Sequence, residues 1–383
     1  MKKLLFCTIV TILMLFTPLS FSTASITSKT IYVDDDGGAD YNHIQDAIDA
    51  SSPGDTIFVY NGKYTENIVI NKNIILTGEN KENTIINSSS NQNIINISAN
   101  NIEINGFTIE KTEGYSFYHS IEIQSNNTKI YNNKFTNKET YYYPYGIYIT
   151  SNRVNNHIFN NTFIDTGLGI NPENIKTNNI HNNTINSQPL IYLESVSDQV
   201  ISNAGQIILK DCTNITIQKI EIKKTPVAIT SINSNDCLIN NCTIRANDKG
   251  IICKKSNGLK IIENDIKANN QGIYISNSEN IIITKNDIYQ NSEALFSENC
   301  KKSELNLNNF YSNGFCLNIY YSNLNTIKHN NFGNNIRNVF SLFCSLNTYD
   351  NNYWNRPRVF PKLILEFPRL NLDWNPAQTP FSI

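Results

Sequence analysis

From residue 217 onward, apolar residues return at a constant interval of 22 positions. Ile217, Ile239, Ile261, Ile283, Leu305, Ile327 and Tyr349 form one column, and Ile222, Ile244, Ile266, Ile288, Phe310, Phe332 and Trp354 form a second. A third runs Ile229, Ile251, Ile273, Leu295, Leu317, Val339, each residue preceded by a mostly small one (Ala228, Gly250, Gly272, Ala294, Cys316, Asn338). Within each stretch apolar and polar residues alternate, as in Gly272-Ile273-Tyr274-Ile275. That is the two-residue period of a strand and not the 3.6-residue period of a helix. Three inward-facing strands per turn predict an all-β fold, a right-handed parallel β-helix whose coils stack about 4.8 Å apart and cannot bury their apolar faces singly. Roughly eleven to thirteen coils are expected.

Two residues before the second column stand Asn264, Asn286, Asn308, Asn330 and Asn352, and earlier Asn133, Asn161 and Asn183 precede Phe135, Phe163 and Ile185 in the same way. Asparagine tolerates left-handed backbone and its amide can bond from coil to coil, so the pattern predicts a ladder at a tight bend. The chain divides into a leader (1–24), an N-terminal strand and capping helix (25–55), the β-helix (56–354) and an irregular tail (355–383). Asn42 and Gln45 offer a capping box to that helix, whose Ile44, Ala47 and Ile48 share one face. It would close a sheet end open to other chains. The period breaks between Ile185 and Ile222, where strand-like runs suggest a hairpin or enlarged coil. The tail, with Leu363-Ile364-Leu365 and Trp374, is expected to fold back over the last coil or the flank.

The opening MKKLLFCTIVTILMLFTPLSFSTAS has two lysines, a short apolar run and small residues up to Ala24, the layout of a secretory signal cleaved near that point. The mature chain is therefore expected to be secreted or held at the cell surface, without a membrane span. Net charge is −2 and the cations are scattered singly, which sets aside nucleic acid and anionic membrane as partners. No two of Cys212, Cys237, Cys242, Cys253, Cys300, Cys316 and Cys344 lie 22 apart, as a bridge between neighbouring coils requires. They read as buried thiols behaving as small hydrophobes. Asp34-Asp35-Asp36 could hold calcium but reads as a solvated acidic turn, and no metal or cofactor is expected. Asn87, Asn96, Asn126, Asn160, Asn182, Asn214 and Asn241 sit in glycosylation sequons that an exported chain could use.

Candidate chemistry lies in two early coils that each gain five residues at one corner. The added text is aromatic: Tyr115, Phe117, Tyr118 and His119 in one, and Tyr141, Tyr142, Tyr143, Pro144 and Tyr145 in the next. Beside that corner the outward positions of the third strand read Glu122, Tyr148, Asn171, Tyr192, Thr230, Ile252, Tyr274, Phe296, Asn318 and Phe340. Sugar rings stack their C–H faces on aromatic rings while nearby amides bond the hydroxyls, so Tyr115, Phe117, Tyr118, Tyr141, Tyr142, Tyr143, Tyr145, Tyr148, Tyr192, Tyr274 and Phe296 are the candidate carbohydrate-binding residues. The competing reading is that the loops pack on themselves and the tail covers the stripe. Asp265 and Asp287 stack on consecutive coils but stand outward beside the ladder, where a solvated carboxylate is favoured over an acid pair.

The stretch ADYNHIQDAIDASSPGDTIFVYNGKYTENIVINKNIILTGENKENTII, the 22-residue coils, the segment AGQIILKDCTNITI and the ending NNYWNRPRVFPK…LNLDWNPAQTPF together resemble the NosD-like right-handed β-helix family. That resemblance covers nearly the whole mature chain and implies an archaeal exported surface protein with carbohydrate-binding or sugar-hydrolase-type repeats. The namesake subgroup implies copper handling, which needs grouped Cys, Met or His. This chain has two methionines and five scattered histidines, and no metal residue is carried over. The first coil is also similar to pectin methylesterases, but no Asp-Phe-Ile-Phe-Gly stretch is present, and the Asn-Thr-Asp and Arg-Ile-Lys motifs of polygalacturonases are absent. No catalytic residue is assigned. The expected function is non-catalytic binding or adhesion to a polysaccharide or envelope glycan. A lyase or glycoside hydrolase with a divergent site and a passive envelope scaffold are the alternatives, and oligomeric state is left open.

Overall fold

A computed structural model describes residues 28–88, 92–112, 118–138, 143–172, 177–358, 360–367 and 369–383. Over these residues it is a right-handed parallel β-solenoid with one short helix. Fifteen strands succeed one another on the first face of the turn, seven from Thr30–Val33 to Asn179–His181 and eight from Val200–Ile201 to Thr348–Asp350. Counting by 22 undercounts them, because Thr30–Val33 already forms a turn and the break between Ile185 and Ile222 holds two shortened turns. The register of the regular part follows the apolar columns: Ile217 pairs with Ile239, Ile244 with Ile266, and Ile251 with Ile273. Gly250 and Gly272 stay small because the next coil's backbone comes close; a Cβ on them would lie 2.4 Å from the Gly272 oxygen and 2.7 Å from the Ala294 oxygen.

The asparagine ladder is present, with a different division of labour at the bend. Asn286 donates its backbone N–H to Asn308 Oδ1 at 3.0 Å and its amide to the Ile261 and Thr284 carbonyls at 2.8 and 3.0 Å, while its own Oδ1 receives the Asn264 N–H at 2.9 Å. The ladder residue is not the left-handed one. That conformation falls on the residue before it, Glu263, Lys285, Leu307 and His329, with φ of 53–56°. Those side chains point outward and vary freely, whereas the asparagine points inward and cannot. A second ladder runs through Asn247, Asn269, Asn291 and Asn313, and a shorter hydroxyl ladder through Ser234, Ser256 and Ser278. Several cysteines occupy rungs: Cys212 N–H donates to Ser234 Oγ and Cys242 N–H to Asn264 Oδ1. The seven described cysteines are free and buried, and burial pushes the Cys253 thiol up to about 12.

The apolar interior falls into two clusters, one from Ile31 to Ile208 and one from Ile201 to Ile364. They meet where the sheets change partners. Thr184–Ile185, on the second face of the first half, pairs antiparallel with Gln188–Glu194, which pairs parallel with Gln206–Lys210 on the third face of the second half. The third-face sheet of the first half ends at Gly167–Ile170. Its free edge is closed by a fully buried side chain: Gln206 Oε1 accepts the Leu168 N–H at 3.0 Å, and Gln206 Nε2 donates to the Leu168 and Val227 carbonyls at 2.9 Å each.

Both ends are capped. The helix Ile44–Ala50 buries Ile44, Ala47 and Ile48 as expected, but Asn42 and Gln45 form no capping box. Glu66, from the next coil, accepts the N–H groups of Ile44 and Gln45 at 3.0 Å each, a carboxylate placed at the positive end of the helix. Gln45 instead binds Val69, through Val69 N–H to Oε1 at 2.8 Å. At the other end, Lys362–Phe367 continues the third face and turns into the antiparallel strand Arg369–Asp373. Buried Asp373 terminates the ladder by accepting from Asn352 N–H, Asn352 Nδ2 and Trp354 Nε1 at 3.0, 3.2 and 2.9 Å. Ile364 is buried in the second apolar cluster, whereas Trp374 is 73% exposed.

Candidate functional site

The junction of the two halves opens into a cleft of about 380 Å³ on the outer side of the third face. One wall comes from the first half: His119, Tyr145 and Tyr148, then Leu168, Gly169, Ile170 and Pro172. The other is the outward side of the second half's sheet, with Ile208, Thr230, Ile252 and Tyr274 along the floor and Lys249 and Lys254 beside them. The cleft exists because the third-face sheet is interrupted at Gly167–Ile170, and a continuous sheet would present a flat face there.

On the first wall three rings hold one another. His119 lies 4.6 Å from Tyr148 and 5.3 Å from Tyr145, and the two tyrosines are 5.3 Å apart at 29°. Gly169 makes room for this group, since a Cβ there would sit 2.5 Å from the Tyr145 ring. Asn93 sets the position of His119 by accepting its backbone N–H at 2.6 Å. The buried His119 Nδ1 has no hydrogen-bond partner. Burial holds the imidazole neutral, with its pKa lowered to about 4, and raises the phenols of Tyr145 and Tyr148 above their ordinary range. On the opposite wall, Lys254 and Lys249 place their ammonium groups 5.4 and 5.7 Å from the centre of the Tyr274 ring.

Tyr145, Tyr148 and Tyr274 of the candidate set thus converge on one cleft. Phe296 does not reach it. It stacks on Tyr274 at 5.2 Å and 3°, and Tyr320 stacks on it at 5.2 Å. A column of parallel rings occupies its own faces and leaves mainly edges to a ligand, so the stripe is not a stacking platform along its length. Tyr192 packs toward the first core and donates its hydroxyl to Glu194 Oε2 at 2.9 Å, outside the cleft. Tyr143 lies beside the Asp165–Lys224 ion pair, and Tyr118 is exposed. Tyr115, Phe117, Tyr141 and Tyr142 fall outside the described residues. The register also corrects the outward column, because Gly169 and not Asn171 pairs with Tyr148, and Ile208 stands between Tyr192 and Thr230.

Lys249, Lys254 and the role of His119 were missed from the sequence. Lys254 follows the outward Ile252 by two residues and was within reach of the same alternation. His119 was visible in the aromatic insertion, but its neutral state depends on burial that the sequence does not display.

A family model described as NosD, periplasmic copper-binding protein, matches residues 191–364, nearly the span of the second core. No curated protein matches the chain. Among solved structures, the chain is similar to an A-module of Azotobacter vinelandii mannuronan C-5 epimerase (12% identity, covering 92% of this chain and 100% of that one, TM-score 0.35). It is also similar to pectin methylesterase from carrot (15%, 74% and 84%, 0.34) and to a PL6 alginate lyase in complex with a trisaccharide (11%, 87% and 88%, 0.36). Such distant likenesses concern the fold alone.

The described residues do not fit a copper centre. Each cysteine rung directs its thiol at backbone, as Cys300 does to Glu298 O at 3.2 Å and Cys344 to Leu342 O at 3.3 Å. Among the described residues the group of acidic, thiol or imidazole ligands close enough to share an ion is Asp34, Asp35 and Asp36, an all-oxygen set. Copper prefers sulfur and imidazole. Asp35 is moreover engaged in the fold, accepting the Lys63 N–H at 2.9 Å.

Proposed function

We propose that the protein is an exported or surface-held rod that binds polysaccharide without cleaving it, and that the cleft at the junction is where the chain of sugars sits. The observation that carries this reading is the opposition of the Tyr145–Tyr148–His119 cluster to Tyr274 across an open cleft flanked by Lys249 and Lys254. Aromatic walls suit the apolar faces of sugar rings, protonated phenols and Thr230 can bond hydroxyls, and two cations favour sugars bearing carboxylates.

Binding is favoured over catalysis by where the titrating groups lie. A general acid or base works best with a pKa near the ambient pH. Here burial drives His119 down to about 4 and the two phenols upward, so all three move away from neutrality. The described lining also contains no carboxylate, whereas glycoside hydrolysis commonly uses a pair.

The test is retention on immobilised polysaccharides, acidic and neutral. Tyr148→Ala with Tyr274→Ala should weaken retention about ten-fold or more while the circular dichroism stays β-type. Lys249→Gln with Lys254→Gln should reduce the acidic polymers selectively. Unchanged retention in both variants would remove the cleft as the site, and accumulation of unsaturated or reducing ends would replace binding with cleavage.

A further inference from the structure

The described surface is apolar at one end. Large hydrophobic side chains stand exposed at five positions before residue 300, spread from Tyr32 to Val200, but at twelve positions between Tyr311 and Ile383. Their placement is ordered. Tyr321 and Phe343 occupy the same left-handed position in successive turns and stack at 5.2 Å, and Leu324 and Leu346 do likewise three residues on. In the preceding turns those positions hold Asn277 and Asn299, and Asn280 and Lys302, so the corner changes from polar to apolar only in the last turns. Phe367 pairs in register with Leu342, the residue before Phe343, and Leu370 on the antiparallel strand Arg369–Asp373 is 70% exposed. Phe360 and Trp374, 79% and 73% exposed, complete the end.

The same end carries cations without counterions. Arg356, Arg358 and Lys362 lie close enough to repel one another, and none of them forms an ion pair among the described residues. The Arg358 Nε is buried without a partner. Residues 356–372 hold four basic residues against Glu366 alone, in a chain whose net charge is −2. The single scattering of cations along the sequence therefore hides a local basic end.

We infer that the rod docks by its C-terminal end on an anionic lipid surface, with Leu346, Leu370, Phe360 and Trp374 entering the interface and Arg356, Arg358 and Lys362 meeting lipid phosphates. Exposed Trp, Phe and Leu with flanking cations is the composition that the lipid–water boundary favours, and long cationic side chains reach around an apolar body to the headgroups. A second copy is the poorer occupant, because a two-fold end-to-end contact would bring these cations against their equivalents. A sugar polymer gains little from exposed leucines. Among the described residues no helix is long and apolar enough to cross a membrane. The cleft lies several turns away, at about 4.8 Å per turn, and stays open when the end is docked.

The test uses the chain from Ser25 onward, which keeps every described residue and omits the apolar leader. Vesicles of phosphatidylglycerol and phosphatidylcholine in equal parts are compared with phosphatidylcholine alone, by flotation and by tryptophan emission. Trp354 is buried and Trp374 exposed, so a blue shift on vesicle addition reports Trp374. Co-flotation with the anionic vesicles and a blue shift are expected. Arg356→Gln, Arg358→Gln and Lys362→Gln together should cost about five-fold in partitioning per charge. Leu346→Ser with Leu370→Ser should weaken flotation further while the melting temperature stays unchanged. Absence of flotation, equal flotation with neutral vesicles, or concentration-dependent dimerisation without vesicle binding would each overturn the inference. Loss of polysaccharide retention in the cleft variants leaves it untouched.

Discussion

The two halves of the solenoid are built from the same strands but handle chain length differently. In the second half the inward residues Ile217, Ile239, Ile261, Ile283, Leu305 and Ile327 follow one another in register at a fixed 22. In the first half Ile57, Leu76, Ile104, Ile130 and Ile158 pair just as well although the intervals between them vary, because extra residues leave at the corners and the strands close up again. Strand stacking therefore fixes the core, and the corners are free to carry something else. In the regular half they carry ladders and solvated turns. In the irregular half the intervals lengthen, and the cleft forms where the two regimes meet and one sheet stops. The cleft sits where the repeat fails, since a perfect repeat presents the same surface at every turn.

The junction should be the most sensitive place to test that contrast. Gln206→Ala strands the Leu168 N–H and the Leu168 and Val227 carbonyls in a buried site, a loss of about 3–5 kcal/mol at typical costs for unmet buried groups. With two separate apolar clusters on either side, calorimetry of this variant should show the transition dividing in two. A single transition at the unmodified temperature would show that the halves do not depend on this amide. The regular half offers the next effect. Asn286→Ala removes the acceptor of the Asn264 N–H and the donors to the Ile261 and Thr284 carbonyls, and about 3 kcal/mol should be lost in denaturant unfolding. A loss under 1 kcal/mol would mean that water replaces the rung, contrary to its complete burial.

Legibility followed the same division. Ile244, Ile266 and Ile288 announce the fold because a strand period of two inside a repeat of 22 has few other solutions, and the asparagines announce a ladder because their spacing matches the turn. The hand-over at Gln188–Glu194 was readable only as a disturbance. Which face a strand joins after a break depends on tertiary pairing, and the apolar run QPLIYLE is compatible with several. The candidate site was legible by residue type more than by place. Tyr145, Tyr148 and Tyr274 meet although Tyr148 and Tyr274 are 126 residues apart, because the interrupted sheet folds the first wall over the second. Tyr192 and Phe296 satisfied the same alternation and are consumed by packing, which periodicity cannot distinguish from exposure.

The smallest expected effect bears on the wall that the irregular half contributes. His119 is neutral in the folded protein down to about pH 4, whereas in the unfolded chain it takes a proton near 6.5. Below 6.5 the unfolded state gains that proton and the folded state does not, so stability falls as the pH drops from 6.5 toward 4 and levels off below. Above 6.5 the group contributes no slope. Partial exposure limits the full span to about 1–2 kcal/mol. The carboxylates with lowered values, Asp55, Glu82, Glu194, Asp198 and Glu221, contribute stability that is lost only as the pH falls below their ordinary range near 4. The interval from pH 5 to 6.5 therefore separates the imidazole from these carboxylates. Replacing it with an uncharged side chain in His119→Gln should flatten the melting temperature across that interval and leave the steeper acid limb in place. A slope that survives the substitution would assign the titration elsewhere, and the neutral imidazole beside Tyr148 would no longer describe the cleft.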